Sequence, residues 1–173
     1  RQALPVILAH AGGPFAAVHA ALLGSAIDWS ELRSSDVPTS LWGLVTETWG
    51  HRAQTEFQSI GAMVKFLDDV LAAGDPIEIY SVAADAIRDE IRHTALCVGV
   101  VEALGTQVKL PEREADPDDF VRLPAAARAL TTGIAMLAIN ETVSVALLRA
   151  LRERATHPVI AAVLEATLAD EDE

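Results

Sequence analysis

From residue 41 onward, apolar residues return every three or four positions, the spacing of one face of an α-helix. Leu41, Val45, Trp49, Ala53, Ile60, Met63 and Leu67 outline a first helix over 41–73. Gly74-Asp75-Pro76 ends it, with Pro76 placed to open the next. A second helix runs over 77–104 until Gly105, and the polar stretch 105–124, carrying Pro111, Pro117 and Pro124, reads as a long connection. A third helix spans roughly 125–155, and Thr156-His157-Pro158 turns into a fourth that is still helical at Glu173. Residues 1–40 form an irregular, partly helical lead-in, broken at Gly12-Gly13-Pro14 and again at Ser34-Ser35-Asp36-Val37-Pro38. The expected class is all-α: a four-helix bundle over 41–173, with short loops making antiparallel neighbours and one long crossover between helices two and three.

Four glutamates break this pattern by sitting on the apolar stripes. Glu56 falls in line with Trp49, Ala53, Ile60 and Met63; Glu90 with Ala83, Ala86, Ile87 and Cys97. Glu141 joins Leu130, Ile134, Leu137, Ala138, Val145 and Leu148, and Glu171 continues Ile160, Leu164, Thr167 and Leu168. These stripes must face inward, and a buried ionised carboxylate costs several kcal/mol, in order of magnitude, unless a cation or hydrogen bonds compensate it. One such glutamate is explained by a local ion pair, for instance with Arg52. One on each of four helices calls for bound metal. Their heights agree, because Glu56 and Glu90 flank the turn at Asp75 at comparable distances, as Glu141 and Glu171 flank His157. Glu47 competes on the first helix but falls about two turns away.

Helix two adds His93 three residues after Glu90, and positions i and i+3 share a helix face. Carboxylate with imidazole suits iron or manganese, whereas an all-oxygen set would suit calcium or magnesium. Asp-Glu recurs on the second member of each helix pair, at Asp89-Glu90 and Asp170-Glu171, in the manner of an internal duplication.

Composition narrows the function further. Half the residues are apolar and 5% are aromatic, which favours packed helices over strands. Thirteen Lys+Arg against 25 Asp+Glu give a net charge of −12, with no basic stripe for nucleic acid. Cys97 is the single cysteine, so no intramolecular disulfide or paired-cysteine metal knuckle forms. The apolar run Leu4–Ala9 is too short for a membrane span. No membrane association and a cytoplasmic location are expected.

With these residues in place, the chain over 41–173 resembles the ferritin-like di-iron carboxylate superfamily, whose pattern is a Glu on helices one and three and Glu-x-x-His on helices two and four. Asp89-Glu90-Ile91-Arg92-His93 is similar to the Asp-Glu-x-Arg-His signature of its oxygen-activating members, such as bacterial multicomponent monooxygenases. The resemblance implies that Glu56, Glu90, His93, Glu141 and Glu171 are metal ligands. It further implies that Asp89 and Asp170 orient ligating imidazoles. Arg92 is expected on the helix surface or as an ion-pair partner beside the ligands. Asp170-Glu171-Asp172-Glu173 begins a second such signature with Glu173 at the arginine place, and its histidine is expected at the next position of the natural chain.

The resemblance implies a non-haem di-iron oxidoreductase that uses O₂ or a peroxo species to hydroxylate, desaturate or N-oxidise a small organic molecule. Two iron ions, with manganese an alternative, and an external electron donor are implied; a homodimer is allowed. Ferritin- or rubrerythrin-like iron oxidation, storage or peroxide detoxification is the alternative, and a metal-free helical interaction domain is a third. Blander roles are expected elsewhere: His51 at the surface or a pocket rim, His157 in its turn, and Cys97 in the core. His10 and His19 lack a metal pattern, Thr167 and Ser59 bond oxygen species or pack, and Asp116-Pro117-Asp118-Asp119 is a solvated loop or helix start.

Overall fold

The structure, a computed structural model, describes residues 13–24, 26–111 and 116–171. It is all-helical, with no strand among the described residues. The Leu4–Ala9 run, His10, Asp172 and Glu173 lie outside them. Short 3₁₀ turns and α1 (Ala16–Leu22) make up the described lead-in. The long elements are α2 (Thr39–Ala73), α3 (Ile77–Ala103) and a rod from Ala125 to Arg154, followed by α7 (Pro158–Glu171). The crossover contains α4 (Asp118–Val121), so its acidic run opens a helix.

Proline marks the starts. Pro38, Pro76, Pro117 and Pro124 immediately precede α2, α3, α4 and the rod, and Pro158 is the first residue of α7. A fixed φ and a missing N–H cost nothing at a helix N-terminus, where the amide would be unpaired anyway. Gly74 closes α2 with a left-handed φ of 73°, reversing the chain so that α3 returns along α2. The rod packs against α2 at its start and α7 at its end, and α7 also meets α3.

The rod is not a uniform α-helix. It comprises α5 (Ala125–Gly133), a π-helical segment (Ile134–Asn140) and α6 (Glu141–Arg154). The wider turn changes which residues face inward ahead of Glu141. Leu130, Ile134 and Ala138, expected on the inner stripe, are exposed, the first two by 65% and 49%. Ala129 and Gly133 take the places of the first two, while Leu137 faces inward as expected: Ala129 is buried, Gly133 faces the Phe66 ring and Leu137 packs beside it. The extra residue per turn carries the inner stripe one position back along the sequence. Leu41, also expected inward, is exposed at the start of α2.

An exposed apolar row runs along the rod, Leu130, Ile134, Ile139, Val143, Leu147 and Leu151, and its Val143 and Leu147 edge the cavity between α2 and the rod. Its spacing is four residues except across the π segment, where it is five. By length and composition this rod is the one described helix apolar enough to cross a membrane. The expectation of no membrane span rests on the Leu4–Ala9 run and does not extend to this rod.

Apolar packing gathers toward the two ends. At one end Leu32, Leu96, Val100, Leu104, Val159 and Val163 join the lead-in, α3 and α7. At the other, Phe66, Val70, Ala83 and Ala129 join α2, α3 and α5. There the buried Asp69 is ion-paired with Arg128 across α2 and α5. The glutamates lie between these ends.

The lead-in is anchored by Trp29, which donates its indole N–H to the Leu23 carbonyl at 3.0 Å and lies over Gly99. A Cβ at Gly99 would stand 2.8 Å from the ring. Gly99→Ala is expected to lower stability by about 1–3 kcal/mol, the usual cost of overpacking. Urea unfolding measures this, and adding Trp29→Phe should recover part of the loss.

Candidate metal centre

α2 and α3 run side by side and bring Glu56 against Glu90 and His93. Each of the three offers a donor atom within 4.8 Å of the others. Glu171, on the last described turn of α7, places Oε1 3.6 Å from His93 Nδ1. Glu141 opens α6 directly after the π segment and lines the same two cavities as Glu90 and Glu171. All five residues expected as ligands therefore converge, drawn from α2, α3, α6 and α7.

His93 is the best-defined member. It is 3% exposed, and neither ring nitrogen is hydrogen-bonded. Nε2 lies 3.3 Å from Asp170 Oδ2 without hydrogen-bonding geometry, and Asp170 is held by Arg92. One nitrogen thus faces a carboxylate fixed by an arginine, and the other faces Glu171 among the clustered acids. A ligating histidine needs this arrangement, one nitrogen for the ion and the opposite one oriented by a carboxylate. Glu90 Oε2 is likewise buried and without a partner. Buried polar atoms left unpaired are rare and costly, and these two residues belong to the same cluster as Glu56. Their oxygen and nitrogen donors match what iron or manganese prefers.

Burial and mutual repulsion act on the acids together. Glu90 is pushed up to about 9, by burial first, then by Glu56 beside it and by Glu171 and Glu141. Glu141 is raised to about 7 by burial and the Glu171 charge, against the opposing effect of His93. Burial also raises Glu171 and Asp89. Asp170 goes the other way. Burial acts upward on it, but His93 and the Arg92 guanidinium outweigh that and hold it below its ordinary value.

Other candidates fall where the spacing allowed. Arg92 pairs with Asp170 across α3 and α7 rather than standing alone on the surface. Asp89 is half-buried near Arg88 and faces the same cavity as His93. Glu47 is exposed and lines a different surface cavity, outside the cluster. His51 is an exposed rim residue, and Cys97 is fully buried with its thiol pushed up to about 12, chiefly by burial. Thr167 spends its hydroxyl on the Val163 carbonyl. His157 Nδ1 accepts from the Val159 amide at 3.3 Å, so it shapes its turn.

Two cavities flank the cluster. One, about 360 Å³, opens between α3 and α7 and is lined by Asp85, Arg88, Asp89 and Asp170 beside the glutamates. The other, about 310 Å³, lies between α2 and the rod, lined by Arg52, Ser59, Met63, Met136, Asn140 and Leu147 among others. Sequence reasoning assigned no role to Asp85, Met136, Asn140 or Ser144. The π segment decides where the last three point, and helical periodicity carries no sign of it.

The raised acids give metal-stripped protein a distinctive pH response. Glu90 binds its proton more tightly folded than unfolded, so its contribution to stability is whole below about pH 4.5 and is lost as pH rises to about 9. Glu141 acts in the same sense up to about pH 7. The urea midpoint of metal-stripped protein is expected to fall across this window, and Glu90→Gln to flatten the fall. A midpoint rising from mildly acid to alkaline pH would contradict this electrostatic picture. No protein-family model, curated protein or solved structure matches this chain, so the activity of the centre is read from its own geometry.

Proposed function

We propose that the chain is a ferritin-like four-helix bundle holding two metal ions, iron with manganese as the alternative, and that it is an oxidoreductase acting with O₂ on a small organic molecule. One observation carries this reading: His93 and Glu90, both with buried and unpartnered polar atoms, and Glu56 have donor atoms within 4.8 Å of one another, with Glu171 beside the His93 ring and Glu141 lining the same cavities. Two irons held there would supply the two-electron exchange with O₂ that amino-acid side chains lack.

The residues' own parts follow from position. Glu56, Glu90, Glu141 and Glu171 would supply the negative charge, and His93 Nδ1 the nitrogen donor. Because Glu90 holds its proton near neutrality, ion binding must release it, which makes loading pH-dependent. Asp170, locked by Arg92, orients the His93 ring. The apolar packing at both ends leaves the two flanking cavities as the ways in for water. Electrons would come from a separate donor protein.

A second reading, iron oxidation and storage, is favoured by one observation: Asp85, Asp89 and Asp170 line the approach to the cluster through the α3–α7 cavity, which suits cation traffic. Solution mass separates the two, since a large cage would favour storage and a monomer or dimer substrate chemistry.

Protein expressed with iron is expected to hold two ions per chain. Glu90→Ala and His93→Ala should each abolish stoichiometric binding while leaving the far-ultraviolet helical spectrum largely unchanged. Retention of two irons by both variants would overturn the assignment.

A further inference from the structure

The two cavities beside the glutamates differ in chemistry, and one of them suits an organic molecule. The α3–α7 cavity adds three aspartates to the cluster, and its one arginine, Arg88, is spent on Asp85 at 3.0 Å and lies 3.9 Å from Asp89. The cavity between α2 and the rod adds no acid; its walls are Met63, Met136, Leu137, Val143 and Leu147, and Arg52 is its permanent cation. Thioethers and branched aliphatic side chains make an adaptable apolar surface.

Arg52 is held for recognition rather than left free. Its guanidinium lies over the Trp49 ring, 5.5 Å from the centroid, and Nη2 reaches Glu56 Oε1 at 3.3 Å. Among the described residues nothing hydrogen-bonds its other terminal nitrogen. Ser59 and Ser144 line the same cavity. A fixed guanidinium with donors to spare matches an oxyanion such as carboxylate or phosphate, and beside the clustered glutamates the singly charged carboxylate is repelled less than a phosphate dianion. At about 30 Å³ per water the cavity holds about ten waters, or a molecule of similar heavy-atom count.

Resting on the metal-centre reading above, we propose that this cavity binds a small monocarboxylic acid, its carboxylate on Arg52 and its hydrocarbon body along Met136, Leu137 and Leu147. Hexanoate, hexanol and hexylammonium share one chain and differ in head charge. Each is titrated by calorimetry into the metal-loaded full chain, with metal content assayed on the same samples. Hexanoate is expected to bind at least about tenfold tighter than the other two, a difference of about 1.4 kcal/mol. Arg52→Met should reduce hexanoate to the level of hexanol without changing hexanol, and Leu147→Trp should weaken both by filling the cavity. Hexylammonium or hexanol binding as tightly as hexanoate overturns the proposal, as does hexanoate binding unchanged in Leu147→Trp or in metal-loaded Arg52→Met. If Arg52→Met loses its metal, the wild-type head-group comparison and Leu147→Trp decide. Wild-type protein with two metals and no preference for hexanoate sinks the cavity assignment alone, whereas protein that takes up no metal sinks the centre and this proposal with it.

Discussion

Like charges gathered where water is scarce repel one another strongly, and this chain gathers four glutamates from four helical segments around one buried histidine. At low effective dielectric their repulsion cannot be screened as it would be at a surface. Protonation offers one relief, and Glu90 takes it, holding its proton to about pH 9. Bound cations would offer the other, the relief on which the proposed metal centre rests, and one would also take up a buried imidazole nitrogen of His93.

Such a layer persists because the rest of the molecule outweighs its cost. Apolar clusters at both ends of the helices fix their spacing and register, so the acids cannot drift apart without opening well-packed contacts. The same packing keeps Arg92 and Asp170 opposed across α3 and α7, and through them the His93 ring is held. Trp29 packs against Gly99 on the same helix, six residues beyond His93.

The π segment links packing to chemistry. It brings Leu137 beside the cluster and sets Glu141 at the start of α6, while passing Leu130 and Ile134 to the outside. The inner wall becomes the cavity between α2 and the rod, and an exposed apolar row runs along the rod beside it. Both are consequences of one wider turn.

Much was legible in the chain alone. Helix ends followed from Gly74 and from prolines at helix starts, since backbone geometry at those residues is local. The inward placement of Glu56, Glu90, His93 and Glu171 followed from spacing, because a regular helix carries periodicity faithfully into space. What periodicity could not carry was any departure from regularity. The inner stripe ahead of Glu141 slipped by one residue in a π turn that no local signal announces. The pairing of Arg92 with Asp170, 78 residues apart, and the split of one cluster between two unlike cavities depend on how separate helices meet. Those were decided by tertiary packing, where side chains distant in sequence first share a dielectric and a volume.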